Sequence, residues 1–231
     1  METIKLSKRL KEAANYTIHG QPIADIGSDH AYLPIYIIRS GMTQRAIAGE
    51  VVEGPYKNAV ETVKEHDLVE AIDVRLGDGL HVLKLKENIG TIFICGMGGL
   101  LISEILAEGL TNSRLPMNAR LVLQPNNNEK ALREFLANQS YKIIEENIVE
   151  DKGKLYEIIV AEYTDVGFSY TEDELTFGPK LMRSQNNTFQ KKWLTELANS
   201  KAILNNLKDT QNYEKIELFK KTINQIEKVV L

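Results

Sequence analysis

Seven apolar clusters of strand length alternate with helical patterns between residues 22 and 163. That alternation restricts this part of the chain to a mostly parallel sheet covered by helices. The strand candidates are 22–26, 45–50, 72–76, 91–95, 120–124, 141–149 and 156–163; the helical stretches are 31–40, 55–66, a short one at 80–85, 100–108 and 128–138. Only 150–155, with Gly153, separates the last two strands, too few residues for a parallel crossover, so they close the sheet as an antiparallel hairpin. Pro55 suits a first helical turn, where its missing N–H costs nothing.

After Tyr163 the pattern becomes a loop, 164–179, carrying Glu172, Asp173 and Glu174. From about Ser184 no strand signal remains. Apolar residues fall at Trp193, Leu194, Leu197, Leu204 and Leu207, then at Ile216, Phe219, Ile223, Ile226 and Val230, the second set in steps of three and four. This is the seam of a helical hairpin resembling a short antiparallel coiled coil, with 208–212 as its polar turn. The expected organisation is a catalytic body at 1–163, a linker at 164–183 and a helical tail at 184–231. Charge divides similarly: residues 1–176 hold 18 Lys and Arg against 27 Asp and Glu, whereas 177–231 hold 10 against 5. An acidic body with a basic tail suggests a polyanionic partner, although a solvated lysine-rich surface explains the same charge.

The single cysteine, Cys95, excludes an internal disulfide, and Met1 is followed by Glu2 and lysines rather than by an apolar leader. A cytoplasmic protein is expected. The longest nearly uncharged stretch, 91–103, is well short of the ~20 residues of a membrane helix, so no membrane association is expected.

The first strand runs into Asp25-Ile26-Gly27-Ser28-Asp29-His30-Ala31-Tyr32, a glycine turn where parallel sheets bind nucleotides. A dinucleotide site would want glycine at position 29, to let backbone approach a pyrophosphate. Asp29 would repel that group, but suits a ligand bearing an amine and a sulfonium, which describes S-adenosylmethionine. Glu50, followed by Val51, ends the second strand, where a carboxylate can accept from both ribose hydroxyls. Gly77-Asp78-Gly79 follows the third strand, with Asp78 able to accept from the adenine amine; Gly96-Met97-Gly98 follows the fourth, offering bare backbone near the methyl donor. Each signal alone describes an ordinary turn or helix cap. Their order at four successive strand ends points to a methyltransferase.

The motifs Ala24-Asp25-Ile26-Gly27-Ser28-Asp29-His30-Ala31-Tyr32-Leu33-Pro34, Gly96-Met97-Gly98-Gly99, Gln124-Pro125-Asn126 and Phe177-Gly178-Pro179 resemble the bacterial TrmK family across the whole chain. The resemblance implies a Rossmann-like class I methyltransferase, a seven-stranded sheet with its last strand antiparallel, and a helical coiled-coil tail. It implies methylation of N1 of adenine 22 in tRNA, a cofactor site at residues 25–32, Glu50, Asp78 and 96–98, and a tRNA surface shared by body and tail.

Adenine N1 carries an in-plane lone pair, so attack on a sulfonium methyl needs no general base. Gln124 and Asn126 are candidates for positioning the base, as is Asp29, which is assigned first to the cofactor; loop amides equally often satisfy local backbone. His30 is expected to shape the helix start, Cys95 to be a buried small apolar group, and Met97, Tyr32 and Tyr156 to pack on base or cofactor or within the core. No His, Cys and carboxylate cluster has metal-ligand spacing, so no metal is expected. Lys5, Lys8, Arg9 and Lys11, with Lys180, Arg183, Lys191 and Lys192, are the expected RNA contacts. A monomer is expected. The alternatives are methylation of another RNA base or a small molecule, an RNA-binding scaffold on an inactive nucleotide fold, and a nicotinamide-dependent oxidoreductase.

Overall fold

The computed structural model describes residues 4–207 and 212–230. One sheet runs in the order β3-β2-β1-β4-β5-β7-β6, built from β1 (Ile23–Ile26), β2 (Ala46–Glu50), β3 (Ile72–Leu76), β4 (Thr91–Met97), β5 (Arg120–Pro125), β6 (Tyr141–Asp151) and β7 (Lys154–Tyr163). The first five strands are parallel, and β7 lies antiparallel between β5 and β6. Lys152 and Gly153 both take positive φ (50° and 76°), the mirror-image turn whose twist matches a two-residue hairpin.

The central strands are buried on both faces, which is why they read as continuous apolar runs. Ala24, Ile26, Ile92 and Ile94 face one core with Ile102 and Leu106 of α4 (Gly99–Thr111) and Leu132 and Leu136 of α5 (Glu129–Asn138). Ile23 and Phe93 face the other, under α1 (Lys8–Ala14), α2 (Tyr32–Arg39) and α3 (Glu53–Glu65), which contribute Ala13, Leu33, Ile37, Ala59 and Val63. The strand ends extend slightly beyond the sequence expectation in the hairpin, and the expected helix at 80–85 is a 3₁₀ turn at Gly79–Val82.

Between residues 164 and 183, expected as loop and linker, the chain forms α6 (Glu172–Phe177) and continues into α7 (Leu181–Ser184). Thr171 and Glu174 make a reciprocal capping box at the start of α6. The tail helices are α8 (Asn187–Leu207) and α9 (Tyr213–Val230); most of the polar turn expected at 208–212 lies outside the described residues. Phe189, Trp193, Leu197, Ile223 and Ile226 are buried, whereas Leu194 is exposed. These helices share a third core with Ile148 of β6, Phe177 and Leu181, and Phe177 meets Trp193 edge-on with ring centroids 4.4 Å apart. Each such fully buried side chain contributes roughly 1.5–3 kcal/mol, so the tail base is fastened to the sheet rather than tethered.

Under this contact lies a buried charge cluster. Arg133 of α5 is fully enclosed, its Nε donating to Glu146 at 2.8 Å and its NH2 pairing with Glu157. Lys192 of α8 adds 2.5 Å and 3.1 Å contacts to Glu157 and Glu129.

Candidate functional site

The parallel strands end together, and the order β3-β2-β1-β4-β5 places a topological switch between β1 and β4, where open α/β sheets bind ligands. Gly77 N–H donates to the Glu50 carbonyl, and the Gly27 and Ser28 N–H groups donate to the Gly49 carbonyl, so the loops after β3, β2 and β1 lie side by side. Between β1 and α2 the backbone is left-handed at Gly27 (φ 72°) and then at three consecutive non-glycine residues, Asp29, His30 and Ala31 (φ 38°, 64° and 57°). Such conformations cost of order 1 kcal/mol or more each and collect at functional sites. At Gly27 the space is also taken, because a Cβ there would lie 2.3 Å from the Met97 terminal methyl.

This loop, α1 and the end of β4 enclose a cavity of about 260 Å³ lined by Arg9, Asp25, Gly27, Ser28, Asp29 and Tyr32, with Cys95, Gly96 and Met97 opposite. Asp25 is buried, accepts a 2.6 Å hydrogen bond from Ser28 Oγ, and is pushed up to about 7 by burial against that bond, with Glu50 and Asp29 adding repulsion. Glu50 is also buried and held above the usual carboxylate range by burial; its Oε1 accepts from the Asp29 N–H at 2.6 Å. Asp29 itself points outward, 89% exposed in its side chain and 3.7 Å from His30, whose ring stacks on Tyr32 (5.2 Å, 14°). Asp78 is exposed at the start of the 3₁₀ turn, where Gly79 has φ 48°, and Val51 is exposed beyond Glu50.

At the far wall β4 carries a bulge between Cys95 and Met97, with Gly96 at φ 83°, which turns the strand end toward the cavity. A Cβ on Gly98 would meet Asn127 Oδ1 at 2.9 Å. Asn126 is exposed; its Nδ2 donates to the Gly96 carbonyl at 2.7 Å and its N–H to the Met97 carbonyl at 2.8 Å, stapling the loop. Gln124 differs from the expectation that it faces a base, because it is fully buried. Its Nε2 donates to the Pro125 carbonyl (2.8 Å) and to Asn126 Oδ1 (3.1 Å), while its Oε1 accepts from Arg9. Cys95 differs from its reading as a buried core group, because it is half-buried and lines the cavity while packing against the core under α1, α2 and α3; desolvation pushes its thiol up.

The expected RNA contacts fall into distinct environments. Lys5, Lys8, Lys11 and Arg183 are exposed, and Lys180 is half-buried. Lys191 is exposed and paired with Glu150 at 2.7 Å. Lys192 is a correction: two carboxylates hold it within the fold, so its charge is satisfied internally. Arg9 is another, since it leaves the protein surface to line the cavity. A second groove of about 660 Å³ runs from Asn126 along Lys154, Leu155 and Tyr156 to Lys191 and Thr195 of α8. Among the described residues no helix is long and apolar enough to cross a membrane, and no group of three His, Cys, Asp or Glu is placed for a metal ion.

Two buried carboxylates carrying raised proton affinity, beside glycines whose extra Cβ would fill the space, fit a cationic ligand with ribose hydroxyls and not a pyrophosphate. Together with the strand order and the inserted antiparallel β7, these features define a Rossmann-like class I methyltransferase that uses S-adenosylmethionine. Residues 23–228 match the family model TrmK, described as tRNA (adenine(22)-N(1))-methyltransferase. The tRNA (adenine(22)-N(1))-methyltransferase of Bacillus subtilis is 41% identical over 218 residues, covering 93% of this chain and 90% of that protein. Streptococcus pneumoniae Sp1610, solved in complex with S-adenosyl-L-methionine, is 40% identical with a TM-score of 0.89, covering 98% of this chain and 100% of that one. Mycoplasma capricolum TrmK, solved with S-adenosyl-homocysteine, is 29% identical with a TM-score of 0.85 and 97% coverage of both chains. The chain belongs to the TrmK family.

Proposed function

We infer that this chain transfers the methyl group of S-adenosylmethionine to N1 of adenine 22 in tRNA. The observation that carries the reading is that the family match over residues 23–228 coincides with an intact glycine-and-carboxylate cavity at the β1–β4 switch. Bound there, S-adenosylmethionine supplies an electrophilic methyl group on a sulfonium. In this reading Asp25 offers its charge to the cofactor's cationic end, Glu50 and Asp78 accept from ribose and adenine, and the backbone at Gly27, Gly96 and Gly98 permits close approach. Tyr32 and Met97 form apolar walls, and Val51, exposed just beyond Glu50, is left for the ribose and adenine side.

The chain's own contribution to rate is then largely positional. Holding N1 in line with the methyl carbon is the kind of ordering worth up to ~7–11 kcal/mol. Asn126, fixed by its bond to the Gly96 carbonyl, keeps a second lone pair on Oδ1 for the exocyclic amine hydrogens of the target adenine, where charge develops during attack. The test is incubation with labelled cofactor and unmodified tRNA, followed by digestion to nucleosides. Label in 1-methyladenosine is expected; label in another nucleoside or in none contradicts the reading.

We assign the 660 Å³ groove to the tRNA backbone, because it begins at Asn126 and carries Lys154 and Lys191. The Lys191–Glu150 pair is exposed and contributes little to stability, so a phosphate can compete for the lysine. Lys154→Ala with Lys191→Ala is expected to weaken tRNA binding roughly tenfold at moderate salt and to lower the salt slope by about two, one per phosphate contact. Anisotropy titrations across a salt series check this, with cofactor affinity unchanged. Substitutions are preferable to removing 184–231, because deletion would uncover Ile148 and Phe177 and strip Lys192 from Glu157. The proposed working unit is a monomer acting on the cytoplasmic tRNA pool.

A further inference from the structure

Tyr156 stands where the cofactor cavity meets the groove assigned to tRNA. Successive side chains of a strand alternate between its faces. Along β7, Val160 and Ile158 are buried in the core under α1, and Tyr156, two residues nearer the hairpin turn, is the next on that face and only half-buried. The antiparallel register pairs Leu123 of β5 with Ile159 of β7, and three more residues of the same register bring Asn126 opposite Tyr156. Both line the 660 Å³ groove. Arg9, which lines the 260 Å³ cavity, places its guanidinium carbon over the Tyr156 ring, 5.4 Å from the centre. Hydrogen bonds then run from Arg9 to Gln124, from Gln124 to Asn126 at 3.1 Å, and from Asn126 to the Gly96 carbonyl at 2.7 Å. The ring is thereby tied to the wall beside which the methyl group is delivered.

We propose that the Tyr156 ring stacks on the target adenine and stabilises the positive charge that methylation places on it. The proposal rests on the reading that N1 of adenine is the methyl acceptor. As the N1 lone pair forms the bond to the methyl carbon, the carbon–sulfur electron pair returns to sulfur. The positive charge moves from the sulfonium to the adenine ring, and no proton has to leave. The face of a neutral aromatic ring attracts a cation through its quadrupole, so it holds the charged ring of the product more strongly than the neutral ring of the substrate. Stacking that strengthens along the reaction raises its rate, whereas stacking that is equal throughout serves binding alone. Arg9 lies over one face of Tyr156, and the base is received on the other. Asn126, the neighbour across the register, then meets the edge of the same base. Tyr32, which lines the cavity itself, already stacks on His30 and is not among the groove residues.

Replacing Tyr156 by phenylalanine, and then by phenylalanines carrying successively more ring fluorine, keeps the shape while draining negative charge from the ring face. Single-turnover methylation, with enzyme in excess over tRNA and saturating cofactor, reads the chemical step. Tyr156→Phe is expected to stay within about threefold of the wild-type rate, and Tyr156→Leu to lose about 10- to 30-fold. Across the fluorinated series the logarithm of the rate is expected to fall steadily, while affinities for tRNA and S-adenosylhomocysteine stay within about threefold. A rate indifferent to fluorine overturns the proposal, as does an equal loss in Tyr156→Phe and Tyr156→Leu. An unchanged rate with weakened tRNA binding overturns it in favour of a stack on a neighbouring base. An S-adenosylhomocysteine affinity that falls in step with the rate overturns it in favour of a ring that acts through Arg9. If Tyr156→Leu does not fold, the fluorinated series alone decides. A wild type that forms no 1-methyladenosine sinks the acceptor reading beneath the proposal, whereas an active wild type with a flat series sinks only the role of Tyr156.

Discussion

Asp25→Asn is expected to raise the melting temperature of the ligand-free protein while weakening S-adenosylmethionine binding by about 10- to 100-fold. Both effects follow from one buried carboxyl. Its proton affinity rises from the ordinary 3.8 to about 7, chiefly through burial, so between those values the folded state holds a proton that the unfolded state has released. Stability then falls as pH rises from about 4 to 7, by an amount on the order of a few kcal/mol, and the ionised carboxylate is a standing cost at neutral pH. A neutral amide of the same shape removes that cost and still accepts from Ser28 Oγ.

For ligand binding the sign is reversed. A cationic ligand favours the carboxylate, so affinity is full above pH 7 and declines by up to about tenfold per unit as pH falls below it. Asp25→Asn is expected to flatten this dependence. Thermal melts without ligand and calorimetry from pH 5.5 to 8.5 read the two effects separately. A variant that loses stability, or keeps the wild-type pH profile, contradicts the role given to Asp25.

Arg133→Met is expected to destabilise the protein by about 3–5 kcal/mol, the cost of leaving buried carboxylates without their cation. For a chain of this size that corresponds to roughly 6–20 °C in melting temperature. Arg133 and Glu146 are fully enclosed and Glu157 nearly so, and none can be rehydrated without opening the junction of α5, β6, β7 and α8. Burial alone would lower the proton affinity of Arg133, but the charges of Glu157 and Glu146 more than offset it and hold the guanidinium ionised. Burial likewise works to raise Glu157, yet Arg133 and Lys192 hold it below the usual range, so its contribution is present at neutral pH and is lost on acidification below about 4. Cofactor affinity measured well below the melting temperature is expected to stay within about twofold, because none of these side chains lines the cofactor cavity. A loss under about 1 kcal/mol contradicts the charge accounting.

The sheet and the glycine loops were legible in the sequence because both are local signals. Buried parallel strands produce continuous apolar runs, and the loops after β1 through β4 carry their glycines and carboxylates in consecutive residues. What escaped sequence reading was non-local. Arg9 and Lys192 read as solvated basic residues, but Arg9 meets Gln124 115 positions away, and Lys192 meets Glu157 and Glu129 35 and 63 positions away. No periodicity encodes such partners. Helix α1 is only 7 residues long, too short for an amphipathic pattern to stand out. Helix α6 is the one miss with a readable signal, since Thr171-Glu172-Asp173-Glu174 has the spacing of a capping box ahead of Phe177.

The central claim is a methyl group on N1 of one particular adenine, and N1 lies on the Watson–Crick edge that reverse transcription must read. Primer extension on a tRNA transcript incubated with the protein and S-adenosylmethionine tests it directly. The expected result is a stop one nucleotide 3′ of position 22 that requires both protein and cofactor and disappears when adenine 22 is replaced by guanine. Full-length extension from a transcript that the protein binds, or a stop at any other adenine, would contradict it.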